Sequence, residues 1–286
     1  MMVDSVAVLI RGLSFIAMFQ AAGGAVFLAL FGADLPRSGV GILRMLRIVT
    51  VIAIALVLLQ FSFEATRLAG EFSALWDKQM QELAWHSAAG SALRLRLIGL
   101  LLVLVSLHTS RKFLADLLCI VGTLALVLAF TVIGHTVAHP HRSALVLLLL
   151  AHLLILLFWF GALWPLRQAV NHEAPAIAAA VLAGFSRLAV WLVPGLLLAG
   201  VTLVILLVPG FSVFGQPYGW LLLAKVAGFA ALMGCAALNK LRLTPALLQN
   251  SPTAAPALRR SLLIEYLIIA MVLAVTAVMT GLYSPD

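Results

Sequence analysis

The sequence predicts an all-α fold, a polytopic integral membrane bundle of about eight transmembrane helices, and three observations carry that prediction. Of the 286 residues 64 % are hydrophobic and 10 % charged, which leaves too little polar surface to wrap a water-soluble globule. The apolar residues gather into runs of the roughly 20 residues that a spanning helix needs. The 18 Lys and Arg residues fall mainly between those runs, where they read as topology signals in a lipid bilayer and not as a nucleic-acid patch.

Taken in order, the helices are expected at about 5–31, 43–66, 92–108, 114–136, 143–166, 177–207, 219–239 and 261–283, as a single transmembrane domain over residues 1–286. The first run carries Arg11 and Gln20 and is preceded by Asp4 with no basic segment, so it reads as a retained helix and not a cleaved signal. Between the second and third, residues 71–90 form a long polar connection in which Trp76 and Trp85 suit an interfacial anchor and a short surface helix is expected. The fourth and fifth make a hairpin closed by His139-Pro140-His141-Arg142. The sixth is long enough to tilt or to break at Pro194-Gly195, where an amide is missing and the backbone is permissive. After the seventh, residues 240–259 contain Pro245, Pro252 and Pro256 and are expected to be irregular. Cys119 and Cys235 both lie inside apolar runs and leave no disulfide framework for the loops.

Orientation follows from the retention of basic residues on the cytoplasmic side. Arg37, Arg44, Arg47, Arg111, Lys112, Arg167, Lys240, Arg242, Arg259 and Arg260 flank one end of the runs. Arg67, Lys78, Arg94, Arg96 and Arg142 flank the other, diluted by Glu71, Asp77 and Glu82. Ten against five places both termini outside, which in a bacterium is the periplasm or the cell exterior.

The chemistry-bearing feature is the segment Gly134-His135-Thr136-Val137-Ala138-His139-Pro140-His141 at that outer face. Imidazole suits Cu, Zn, Ni and Fe, and His135 and His139 are four apart, on one face if the helix extends so far. His86 falls on the same side. His152, about nine residues into the fifth helix, lies on the order of 13 Å down, so it reads as a deeper station beyond His135. The ordinary alternatives are a solvated imidazole for the outer histidines and an interhelical hydrogen bond for His152. Intramembrane charges form a second set, since each is costly unless paired or facing a cavity. Arg11 with Glu64, and Arg187 with Glu265, are placed at depths where they can pair, while Lys225 has no evident acidic partner; all five read as structural glue before chemistry, with Glu64 or Glu265 open to carrying a proton. Cys119, Met233 and Cys235 lie at similar depth but read as packing. No phosphate loop, aspartyl-phosphate motif or H-E-x-x-H motif occurs, which excludes an ATP-driven pump and disfavours a zinc protease.

A family resemblance rests on residues in order. They run Gly134-His135-Thr136, His152-Leu153-Leu154, Phe158-Trp159-Phe160-Gly161-Ala162-Leu163-Trp164-Pro165, Phe185-Ser186-Arg187, Tyr218-Gly219, Lys225, Ala237-Leu238-Asn239-Lys240, Leu243-Thr244-Pro245 and Arg259-Arg260-Ser261 with Glu265. In these the chain resembles the bacterial copper-resistance protein D family (CopD and PcoD), inner-membrane proteins of periplasmic copper handling. The resemblance implies a non-enzymatic copper transport protein that receives copper from a small periplasmic carrier of the CopC type, a separate protein for this chain. By position it implies His135 and His152 as the metal residues, with His139, His141 and His86 resting on the loop chemistry alone. The expected function is copper import, the oxidation state being open. Two alternatives stand beside it: a haem-binding electron carrier with histidines from two helices as axial ligands, and a copper-binding assembly factor that does not transport.

Overall fold

The computed structural model describes residues 2–133, 141–208 and 210–283, and every regular element in them is helical. Long helices are α1 (Met2–Phe31), α2 (Gly39–Ala69), α4 (Ala88–Ser106), α5 (Lys112–Leu128), α6 (Arg142–His172), α7 (Pro175–Leu207), α8 (Pro217–Leu238) and α10 (Ala254–Leu282). Two short ones, α3 (Lys78–His86) and α9 (Thr244–Leu248), lie at the ends of the bundle. Among the described residues seven helices are long and apolar enough to cross a membrane, and α5, at 17 residues, is just shorter. The chain therefore is a bundle of about eight apolar helices. In lipid this is forced: only a helix satisfies its backbone hydrogen bonds within one spanning segment.

The helices alternate in direction. Arg11 donates to the Thr280 carbonyl at 3.1 Å, which ties the start of α1 to the end of α10. At the opposite end Lys112 donates to the Ala29 carbonyl at 3.0 Å and Arg259 to Asn171 Oδ1 at 2.6 Å. Both termini therefore share one end of the bundle. The α1 helix is the hub, packing on α2, α4, α5, α6 and α10, while α7 lies against α6 and α8 against α10 at the rim. Of the apolar window of α1 67 % is buried, against 17 % in α7 and α8, so the rim helices face lipid over most of their surface.

Two crossings depend on glycine. A Cβ on Gly23 of α1 would run into the Leu157 carbonyl of α6, and one on Gly161 of α6 into the backbone of Gly23 and Gly24. Likewise Gly99 of α4 and Gly122 of α5 each face the other's carbonyl oxygen. Inside lipid no hydrophobic effect drives helices together, so association relies on close van der Waals packing, and small residues permit it. Gln20 Nε2 donates to the Gly161 carbonyl at 3.2 Å across the first crossing, which gives the polar residue of α1 a partner.

Four expectations about elements change. The fourth helix was expected to reach residue 136, yet α5 ends at Leu128, because Phe130 turns inward onto Phe15 and Phe19, with ring centroids 5.2 and 5.9 Å away. Phe130 N–H then bonds the Val127 carbonyl at 3.1 Å and Thr131 N–H the Leu128 carbonyl at 2.9 Å, a tightened last turn. The fifth helix runs past 166 to His172, carrying Pro165 inside it. Pro194-Gly195 does not break α7, which is continuous; with no water to reward an opened ladder, the helix absorbs the proline. The segment 240–259 is mostly ordered: a π-helical turn (Asn239–Leu243) leads into α9, and Pro245 and Pro256 sit in first turns, where a missing N–H loses nothing.

The connection 71–90 folds as expected, as a 3-10 turn (Phe72–Trp76) followed by α3. Asp77 caps α3 by accepting from Gln79 N–H at 2.8 Å, and Ser87 caps α4 by accepting from Ala89 N–H at 3.1 Å. Trp76 is 83 % exposed at this surface.

Candidate functional site

His152 stands ten residues after Arg142 on α6, roughly 15 Å along the helix. It is half-buried and faces α7. Its Nδ1 lies 3.3 Å from the Leu196 carbonyl oxygen. A carbonyl only accepts, so this contact favours the proton on Nδ1 and, in the neutral ring, leaves the Nε2 lone pair for a metal. Gly200, one turn beyond Leu196 on α7, makes the room: a Cβ there would lie 3.2 Å from His152 Cε1. Lys225 of α8 is close enough for its charge to act on the imidazole. Facing α7, the structure thus sets one oriented nitrogen ligand of α6 within the electrostatic reach of one amine.

His135 and His139 lie outside the described residues. Their expected shared helix face presumed a helix continuing to residue 136, and α5 stops at Leu128. His141 is exposed at the N-cap of α6, and His86 is exposed at the end of α3, both at the termini end. Among the described residues no three His, Cys, Asp or Glu side chains converge as a metal cluster.

At the termini end the charges are arranged differently from the pairing proposed on depth. Glu64 is bound by Arg67, Nη2 to Oε1 at 2.6 Å, one helical turn away on α2. Arg11 instead donates to Thr280 and feels Glu64 at longer range. Arg96, counted from sequence as a flanking charge, is two turns inside α4 and 8 % exposed. Its guanidinium stacks on Phe130 at 5.1 Å, and its Nε has no hydrogen-bond partner. The early end of α5 and the burial of Arg96 are one event, since the inward Phe130 ring is what receives the cation. The missed signal is the N-cap: Ser87 starts α4 several residues before position 92, which carries Arg96 inside.

At the other end Glu265 of α10 is buried, and its Oε1 accepts from Asn239 Nδ2 at 2.5 Å, with the Trp159 side chain also set to donate to it. Arg187, its expected partner, is exposed on α7, and no ion pair among the described residues joins them. Cys235 lies near Glu265, whereas Cys119 is a core residue of α5, so the sulfur atoms do not gather. Just outside the spanning segments, Glu173 ends α6 and accepts from Arg37 N–H at 3.0 Å, Ser38 N–H at 2.7 Å and Ser38 Oγ at 2.7 Å. Burial opposes its ionisation, but these donors outweigh burial and hold its carboxyl below the usual range. It clamps the α1–α2 turn to the α6–α7 turn.

An apolar exterior around paired or shielded polar side chains defines a multi-pass helical membrane protein with charged and imidazole groups placed in its interior. A family model for copper resistance protein D matches residues 179–279, and one for the copper resistance protein D-like N-terminal domain matches residues 2–143. The chain belongs to the copper resistance protein D family and is a membrane protein of copper resistance. No curated protein and no solved structure matches it.

Proposed function

We propose that this protein moves copper across the bacterial inner membrane from periplasm to cytoplasm, with both termini periplasmic. Copper is the cargo. The observation that carries the reading is His152: an imidazole within a membrane-spanning helix, its Nδ1 held by the Leu196 carbonyl and its Nε2 lone pair available. The family adds the metal, and the loop charges add the orientation. In this reading His135 receives copper at the periplasmic mouth, helped by His139, His141 and His86, and His152 is the next station inward. A periplasmic carrier of the CopC type delivers the ion. A monovalent cation moving inward gains about 2.3 kcal/mol per 100 mV of membrane potential, which suffices to drive uptake.

Copper uptake into sealed vesicles containing the purified protein tests this. Uptake in the wild type that is lost in a His135→Ala, His152→Ala double variant is the expected result. Equal uptake by both removes the histidine path, and none by either removes the transport reading. A Soret band in the visible spectrum of the purified protein would instead identify a haem carrier.

A further inference from the structure

At the end of the bundle away from the termini, three polar side chains are buried together with hydrogen-bonding capacity unused. Glu265 is 3 % exposed, Ser261 6 % and Asn239 8 %. Ser261 lies one turn before Glu265 on the same face of α10. Asn239 reaches Glu265 from the π-helical turn that ends α8. Asn239 Oδ1 and Ser261 Oγ both lack a partner. Orphaned polar atoms are rare in protein interiors and require an explanation such as an unfilled ion or water position. The π turn adds a second irregularity at the same place, one that recurs at functional sites.

Among the described residues no cation is paired with Glu265. Its partners, Asn239 of the π turn and Trp159 of α6, are neutral. From α8 the titratable neighbour is Cys235, and Tyr266 is adjacent on α10 itself. Lys240 and Arg242 of the π turn are exposed, and Arg259 is engaged with Asn171. Helix α9 carries no charge and α1 none between Arg11 and Phe31, while Arg167 of α6 sets its guanidinium over the Trp164 ring, 5.3 Å from the centroid, and forms no ion pair with Glu265 among the described residues. A lone buried carboxylate is strongly disfavoured unless something positive joins it.

We propose that Glu265, Asn239 and Ser261 form a binding site for one monovalent hard cation, H⁺ or Na⁺. The donor set is a carboxylate, an amide oxygen and a hydroxyl, oxygen ligands of the kind hard cations take and Cu(I) does not. A single carboxylate balances a single positive charge, which argues against a divalent ion. Resting on the transport reading for its purpose, the site supplies the coupling ion; its chemistry stands without copper.

Full-length protein in detergent, free of copper, separates the two ions. In one arm, radioactive sodium binding at fixed pH is measured; in the other, the carboxylic-acid C=O infrared band is followed across pH without sodium. One arm responds in the wild type, and E265Q, nearly isosteric, loses that response. S261A weakens sodium binding about fivefold, the weight of one hydrogen bond, or shifts the pH at which the band changes. Silence in both arms, or an E265Q response equal to the wild type, overturns the site. If E265Q does not fold, an S261A response equal to the wild type overturns it. Loss of copper uptake in vesicles with sodium or proton binding intact would sink only the transport reading.

Discussion

Replacing Gly200 by alanine tests the His152 station without touching the ligand atom. The new Cβ would lie 3.2 Å from His152 Cε1 and 3.4 Å from Nδ1, so the ring must move by a few tenths of an ångström. The Nδ1···Leu196 O separation is already 3.3 Å, and hydrogen bonds of this type weaken beyond about 3.2 Å. Losing that bond removes what fixes the tautomer, at a net cost of about 0.5–1.5 kcal/mol. Copper affinity, measured by competition with a chromophoric chelator in detergent, is expected to fall about two- to tenfold in Gly200→Ala, and His152→Ala loses the site. Alanine within a helix is roughly 0.5–1 kcal/mol more favourable than glycine, so the melting temperature should hold or rise. Wild-type copper affinity in a variant that melts at or above the wild-type temperature would show that the Leu196 contact does not orient the ligand.

Three further outcomes follow from the same geometry. Lys225→Met removes a positive charge that acts on His152 and would repel the copper ion bound there, and should tighten copper binding about tenfold, as like charges roughly 8–16 Å apart at an effective dielectric of ~20 repel by on the order of 1–2 kcal/mol; the chelator competition reads it. Gly161→Ala drives a Cβ into the Gly23 backbone, so α1 and α6 must part, with a loss of about 1–3 kcal/mol seen as a lower melting temperature in detergent. Glu173→Gln weakens the clamp on Arg37 and Ser38 by roughly 1 kcal/mol at neutral pH. Because the folded carboxyl titrates below its ordinary value of 4.5, its contribution is full above that value and is lost as pH falls through the folded one, so wild type and variant should melt alike in strong acid.

Much of the candidate site was legible only in part. His152 and Glu265 stand out in any reading because a polar side chain in an apolar run is conspicuous. Their partners do not: the Leu196 carbonyl is backbone, Gly200 acts by what it lacks, and Asn239 looks like an ordinary helix-end residue beside Lys240. Arg96 was misplaced for a related reason. A charge near the edge of an apolar run is ambiguous until the helix start is known, and Ser87 sets that start by a capping bond no hydropathy pattern registers.

By itself the sequence determined that this chain is a membrane helix bundle, roughly where its helices run and that both termini share one end, because a bilayer imposes length and apolarity residue by residue along the chain. Only the tertiary structure decided which helices touch and which polar groups meet. Glu64 chose Arg67 over Arg11, Glu265 chose Asn239 over Arg187, and Phe130 turned inward to end α5 and shield Arg96. The first is a local i,i+3 pair whose rival lay on another helix; the other two join side chains of different helices, brought together by packing such as that at Gly23, Gly161, Gly99 and Gly122, and nothing local in the sequence encodes the outcome of that competition.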